Sequence, residues 1–178
     1  MKPTHPLHAN SLNNPTAVVS ESGRIFLMYQ RIPAHLKEHS KETATGFGGE
    51  NIYRTFLVTS ADDGATWSAP LDVTRGTKHE TGATTVASGP GIGIQLTRGA
   101  HKGRLVMPFN EGPYGRWNNY AAFSDDDGAT WPVKRELWPG AFAYSVPARL
   151  KDGTVGCLFE ADGYKRIVFA RFPIEWVQ

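Results

Sequence analysis

Two stretches of this 178-residue chain have the residue types of a metal or nucleotide site. Ser124-Asp125-Asp126-Asp127-Gly128 sets consecutive carboxylates before a glycine, which is the composition of a calcium loop. In such a loop glycine takes the sixth position, and oxygen ligands stand at the first and twelfth. With Gly128 sixth, those places fall to Phe123 and Lys134, and neither is a workable ligand. Gly89-Pro90-Gly91-Ile92-Gly93 has the glycine density of a phosphate-cradling loop. Its third-glycine spacing is wrong, however, and strand-like residues follow it where a helix is required. Close backbone packing is the better account, and neither a metal nor a cofactor is expected.

The acidic stretch has a different meaning, because it occurs twice. Ser60-Ala61-Asp62-Asp63-Gly64-Ala65-Thr66-Trp67 returns 64 residues later as Ser124-Asp125-Asp126-Asp127-Gly128-Ala129-Thr130-Trp131. The shared frame is Ser-x-Asp-x-Gly-x-Thr-Trp, and it reads as a folded turn. The Asp carboxylate can accept N–H groups of its own turn, glycine supplies a positive φ, and Thr adds a hydroxyl bond. Trp offers a large apolar plate to bury beneath the turn. Each copy follows a strand-like run, Tyr53 to Thr59 and Tyr120 to Phe123. Repeated units of this kind fix the architecture before other signals do.

The elements that must carry these turns are strands. Thr16 to Val19 and Arg24 to Tyr29 flank Glu21-Ser22-Gly23, and residues 34–50 read as a long polar loop with room for one helical turn. Gly89 to Leu96 and Arg104 to Phe109 look like another strand pair. Tyr144 to Leu150, Thr154 to Phe159 and Arg166 to Phe172 follow, with Asp152-Gly153 and Asp162-Gly163 as hairpin turns between them. No segment sustains a helical period. The reading is all-β and antiparallel, with short sheets in succession, and it favours a β-propeller over a sandwich.

Bulk properties narrow the function. The net charge is +2 with both signs scattered, so no basic stripe suggests nucleic acid. No run approaches the length of a membrane span. The single Cys157 excludes an internal disulfide. No apolar leader follows Met1, which makes the cytoplasm the default location.

The repeated frame resembles the Asp-box of the sialidase (neuraminidase) family, also called the BNR repeat, and the surroundings agree. Asn14-Pro15 with Gly23 to Leu27 resembles the opening of that propeller's second blade. Gly89 to Leu96 with Gly103 to Pro108 resembles the third. Trp138-Pro139-Gly140 with Ala143-Tyr144-Ser145, Leu158-Phe159-Glu160 and Ile167 to Phe172 resembles the C-terminal end. The likeness covers nearly the whole chain. It implies an all-β partial propeller of about three blades with four-stranded antiparallel sheets, approximately residues 9–75, 76–139 and 140–178.

The resemblance also implies chemistry. Sialidases are retaining glycoside hydrolases in which a tyrosine replaces the usual carboxylate nucleophile. A sialoside bears a carboxylate at its reacting carbon, which repels an anionic nucleophile and tolerates an activated phenol. By motif Tyr144 matches the nucleophile, and Glu160 matches the acid beside one arginine of the substrate-carboxylate clamp. Asn14 and Glu38 fall where substrate-contacting residues lie. Arg116 precedes the second repeat as the third clamp arginine does, and a guanidinium suits bidentate carboxylate binding. Glu111, by loop position, is a stand-in activator for Tyr144. Plainer readings remain: a buried tyrosine beside a hairpin, a solvated turn residue at Glu160, an Asn-Pro turn at Asn14, and a surface residue at Arg116.

The chain departs from the family as well. A complete member has six blades, a first clamp arginine, an Asp general acid/base and a Glu partner for the nucleophile, and none of these is recognisable here. Arg31-Ile32-Pro33 repeats the arginine's tripeptide but follows a second-blade strand, so it is not that residue. The second repeat joins third-blade to last-blade sequence, as in an internally shortened relative or a short lineage of its own. Two functions follow: an exo-α-sialidase acting on a sialylated glycan or other acidic sugar, or a non-catalytic glycan-binding module. Open blade edges and apolar faces predict self-association.

Overall fold

The computed structural model describes residues 10–113 and 116–177. Among these residues thirteen strands form three sheets. The first sheet holds β1 (Ser11–Val19), β2 (Ile25–Ile32), β3 (Arg54–Ser60) and β4 (Leu71–Asp72). After a short helix α1 (Thr74–Thr77) come β5 (Thr85–Ala87), β6 (Gly91–Ile92), β7 (Ile94–Gln95), β8 (Leu105–Gly112), β9 (Asn118–Ser124) and β10 (Val133–Trp138). The third sheet is β11 (Phe142–Arg149), β12 (Val155–Ala161) and β13 (Arg166–Phe172), and a 3₁₀ turn over Ile174–Val177 follows it.

Pairing is antiparallel, apart from the parallel pairing of β1 with β6. The sheets carry five, five and three strands rather than four each. Strand β6 is the reason for one difference: it leaves its neighbours and adds to the first sheet beside β1. The long loop at 33–53 holds turns and no helix, and the helical turn falls at 74–77. No helix is long and apolar enough to cross a membrane among the described residues.

The sheets stack, and the sequence of the middle one shows why. Leu105, Met107, Phe109, Tyr120 and Ala122 join Phe26, Met28 and Leu57 in one core cluster, between the first and middle sheets. Val106, Ala121 and Phe123 join Val155, Cys157 and Phe159 in a second, between the middle and third. A sheet buried on both faces needs continuous apolar runs rather than alternation. Val106-Met107-Pro108-Phe109 and Tyr120-Ala121-Ala122-Phe123 supply them. Burial pushes the Cys157 thiol up to about 12, so it is an inert core residue.

The repeated turns are built alike. Ser60 and Ser124 accept the N–H of Gly64 and Gly128 at 2.9 and 2.8 Å, and donate to Asp62 and Asp126 at 2.8 Å. Each Asp then accepts the N–H of Thr66 or Thr130 at 2.8 Å and its hydroxyl at 2.6 Å. Those hydroxyl bonds, with the backbone ones, hold both carboxyls below their usual range. Their tryptophans differ. Trp131 is 4% exposed within the core between the first and middle sheets, whereas Trp67 is 43% exposed. The first sheet lies against the middle sheet and covers Trp131, while nothing comparable among the described residues covers the first sheet's outer side.

Candidate active site

Two bulges bring side chains to one end of the stack. In β1 the register slips between Asn13 and Thr16. Asn14 sits there with φ +52°, a conformation Asn tolerates better than most residues, and Pro15 has no N–H for the ladder to lose. Asn14 donates its side-chain amide to Gln30 Oε1 at 2.7 Å, and its carbonyl accepts the Ser88 hydroxyl at 2.9 Å. In β11 the register slips between Ala143 and Ser145, and Tyr144 is the extra residue, with φ +20°. Its side chain is 52% exposed and lies near the Tyr164 ring, 6.4 Å between centroids.

A third contribution comes from the loop after β2. Leu36 anchors it in the core, and the buried Tyr53 hydroxyl accepts the His39 N–H at 3.2 Å. Glu38 is thereby held beside His39, whose Nε2 lies 3.7 Å from Glu38 Oε1. The His39 ring meets the Trp117 ring edge-on at 6.2 Å.

These pieces line one cavity of about 310 Å³, to which Asn14, Glu38, Asn110, Trp117, Tyr144 and Tyr164 contribute. It combines two phenols, a carboxylate, two amides and aromatic faces. Amides and carboxylate can bond sugar hydroxyls, and rings can cover apolar sugar faces. Among the described residues no lysine or arginine lines it. No cluster of His, Cys, Asp and Glu that could hold a metal ion occurs among them either.

Of the residues the sequence nominates, Tyr144, Asn14 and Glu38 therefore meet. Glu160 does not line the cavity: it lies on β12 opposite Ala143, and its Oε2 is buried without a hydrogen-bond partner. Arg116 lines a different cavity, of about 300 Å³, with His79, Glu111 and Tyr120. Glu111 is not a loop residue free to serve Tyr144. It belongs to β8 and is buried, and both its oxygens bond His79, Oε2 at 2.8 Å from the backbone N–H and Oε1 to the ring Nδ1. Beside it, burial pushes the Lys78 ammonium down to about 8 although Glu111 pulls the other way. The Tyr120 hydroxyl, raised by burial and then by Glu111, donates to the Thr77 carbonyl.

Sequence reasoning missed Trp117, Asn110, His39 and Tyr164. Only Tyr164 left a signal: an aromatic directly after the Asp162-Gly163 hairpin corner must project near the neighbouring strand. The others reach the cavity through long-range packing.

Known proteins resemble this chain in sequence and in fold. Residues 2–153 match the model of the BNR repeat-like domain. The chain is 35% identical to Sialidase-4 of Mus musculus over 135 residues, 66% of this chain and 26% of that protein. It is 32% identical to the exo-alpha-sialidase of Aspergillus fumigatus over 144 residues, 75% of this chain and 32% of the relative. The Hadza microbial sialidase Hz136 superposes on 96% of the chain and 33% of its own, with a TM-score of 0.77 at 20% identity. A Trypanosoma rangeli sialidase in complex with the inhibitor DANA gives a TM-score of 0.66 over 91% of this chain. The chain thus spans about a quarter to a third of the curated relatives' length, and its sheets are part of a β-propeller.

Proposed function

The chain belongs to the BNR repeat-like domain family and is kin to the sialidases, and from that premise we propose that it carries the nucleophile side of an exo-α-sialidase site. The observation behind this reading is that Tyr144, Asn14 and Glu38, nominated separately by motif, share one cavity. In the proposed reaction the Tyr144 phenol oxygen bonds to the anomeric carbon of a terminal sialic acid as the glycosidic C–O bond breaks. The phenolic proton leaves to a base, and the departing alcohol gains one from an acid. Water then replaces the phenol at the same carbon, which retains configuration. Asn14 and Glu38 bond sugar hydroxyls, while Trp117 and Tyr164 cover the ring's apolar faces.

A second reading, a non-catalytic glycan-binding module, draws support from Glu160 and Arg116. The first lies off the cavity and the second on another one. One experiment separates the two. A fluorogenic α-sialoside is incubated with the chain and with Tyr144→Phe. Turnover that falls by roughly 10³-fold or more in the variant supports the nucleophile. Turnover indifferent to Tyr144→Phe refutes it, and saturable sialoside binding without turnover selects the module.

A further inference from the structure

The internal repeat makes the middle sheet a template for the first. Trp131 closes the second repeated turn and is covered by the first sheet. Trp67 closes the same turn one sheet earlier and is exposed. The step that carries the middle sheet onto the first carries the first sheet onto a position that no described residue fills. A sheet placed there would bury Trp67 as the first sheet buries Trp131.

The third sheet has the face for that position. Leu158 stands opposite Val146 on one side and Phe169 on the other, and Glu160 stands opposite Ile167. Alternation puts these side chains on one face, turned away from the core. Ile167 and Phe169 are 66% and 56% exposed, and such a contiguous apolar patch marks an interaction surface. Within it Glu160 Oε2 is buried with no hydrogen-bond partner, an unfavourable state for a carboxylate.

The first sheet's outer face supplies the complement. Leu27, Tyr29 and Arg31 alternate with the buried Phe26, Met28 and Ile32, so they point outward. Arg31 lies over the Phe56 ring at 4.5 Å, and no carboxylate pairs with it among the described residues. Both charges stand at the cavity end of their sheets. Arg31 is the last residue but one of β2, just before the Glu38 loop, and Glu160 faces Ala143, which lines the cavity.

We propose that two copies of this chain close on each other, the third sheet of each against the first sheet of the other. Arg31 of one copy then meets Glu160 of the other. The sense of stacking agrees, since the face the third sheet offers is the one that the first offers to the middle. Among the described residues each copy offers one face of each kind, so two copies satisfy both with twofold symmetry, whereas a linear stack would stay open-ended. Closure also brings a guanidinium toward the rim of a cavity that has none among the described residues. This assembly follows from packing and does not rest on the sialoside reading.

Light scattering of the full chain at tens of micromolar tests it. The expected mass is twice the 19.5 kDa of one chain. Arg31→Glu and Glu160→Arg each weaken the dimer at least roughly tenfold, and the double charge swap restores it. Circular dichroism confirms that each variant is folded, and Trp67 emission shifts to the red when the dimer opens. A species of 19.5 kDa at that concentration overturns the proposal. So does an assembly indifferent to both charge reversals. No sugar is present, so this result and the sialoside assay fail independently.

Discussion

Gly64 and Gly128 hold the same place in the repeated turn, and replacing each by alanine should give unequal losses. Their φ angles are +85° and +82°, so an added Cβ meets the same left-handed backbone, a cost of about 1–2 kcal/mol in either case. Surroundings separate the two. A Cβ on Gly64 would meet only Trp67, at 3.6 Å, in ordinary contact. On Gly128 it would stand 2.6 Å from Leu57 Cδ2 and 3.5 Å from Phe26. Both of those residues are buried in the core between the sheets, and Leu57 cannot retreat without displacing its neighbours. Overpacking a filled core costs about 1–3 kcal/mol more. Gly64→Ala should therefore lose about 1–2 kcal/mol and Gly128→Ala about 2–5. In a chain of this size each kcal/mol lowers the melting temperature by about 2–4 °C. Thermal melts followed by tryptophan fluorescence resolve that gap, and urea titrations check it at constant temperature. Equal melting temperatures, or a larger loss at Gly64, would refute the claim that the second turn is wedged between sheets.

Two predictions concern pH. The Thr66 and Thr130 bonds lower the Asp62 and Asp126 carboxyls in the folded state relative to about 3.9 in the unfolded chain. Their contribution is present above that value and is lost as pH falls through the folded one, so the stability gap between the protein and Asp126→Asn should close in acid melts; a constant gap rejects the turn chemistry. Lys78 runs in the opposite sense: its ammonium titrates at about 8 when folded and about 10.4 when unfolded, so the folded state binds fewer protons between these values and stability rises with pH there. Urea melts from neutral pH upward should show this rise relative to Lys78→Met, and parallel curves count against a buried ammonium.

What the sequence made legible was local. The turn residues carry their own conformations, so Asp62, Asp126, Asp152 and Asp162 mark corners that the fold places where expected. The strand type also reads directly, since apolar runs such as Val106 to Phe109 occur in a sheet covered on both faces. What needed coordinates was set by partners far along the chain. Nothing in Gly91-Ile92 announces a parallel pairing with Thr16 and Ala17. Nothing in the two identical turn frames tells that one tryptophan is covered and the other bare, because the difference lies in the neighbouring sheet. Motif alone nominated Tyr144, Asn14 and Glu38, and the fold brings these to one cavity. Glu111 misled because a sequence position near a loop says nothing about His79, 32 residues away in the chain.

The slipped register at Tyr144 separates two duties of one strand. On either side of it β11 stays in step with β12: Ala143 shares the outward face of Glu160, and Ser145 shares the inward face of the buried Phe159. The alternation therefore runs from Ala143 to Ser145 as though Tyr144 were not there. The inserted position is thus exempt from the parity that governs its neighbours. Its side chain can be exchanged for another without repacking the interior, so reactivity at the rim can drift or be redesigned while the scaffold beneath it stays as it is.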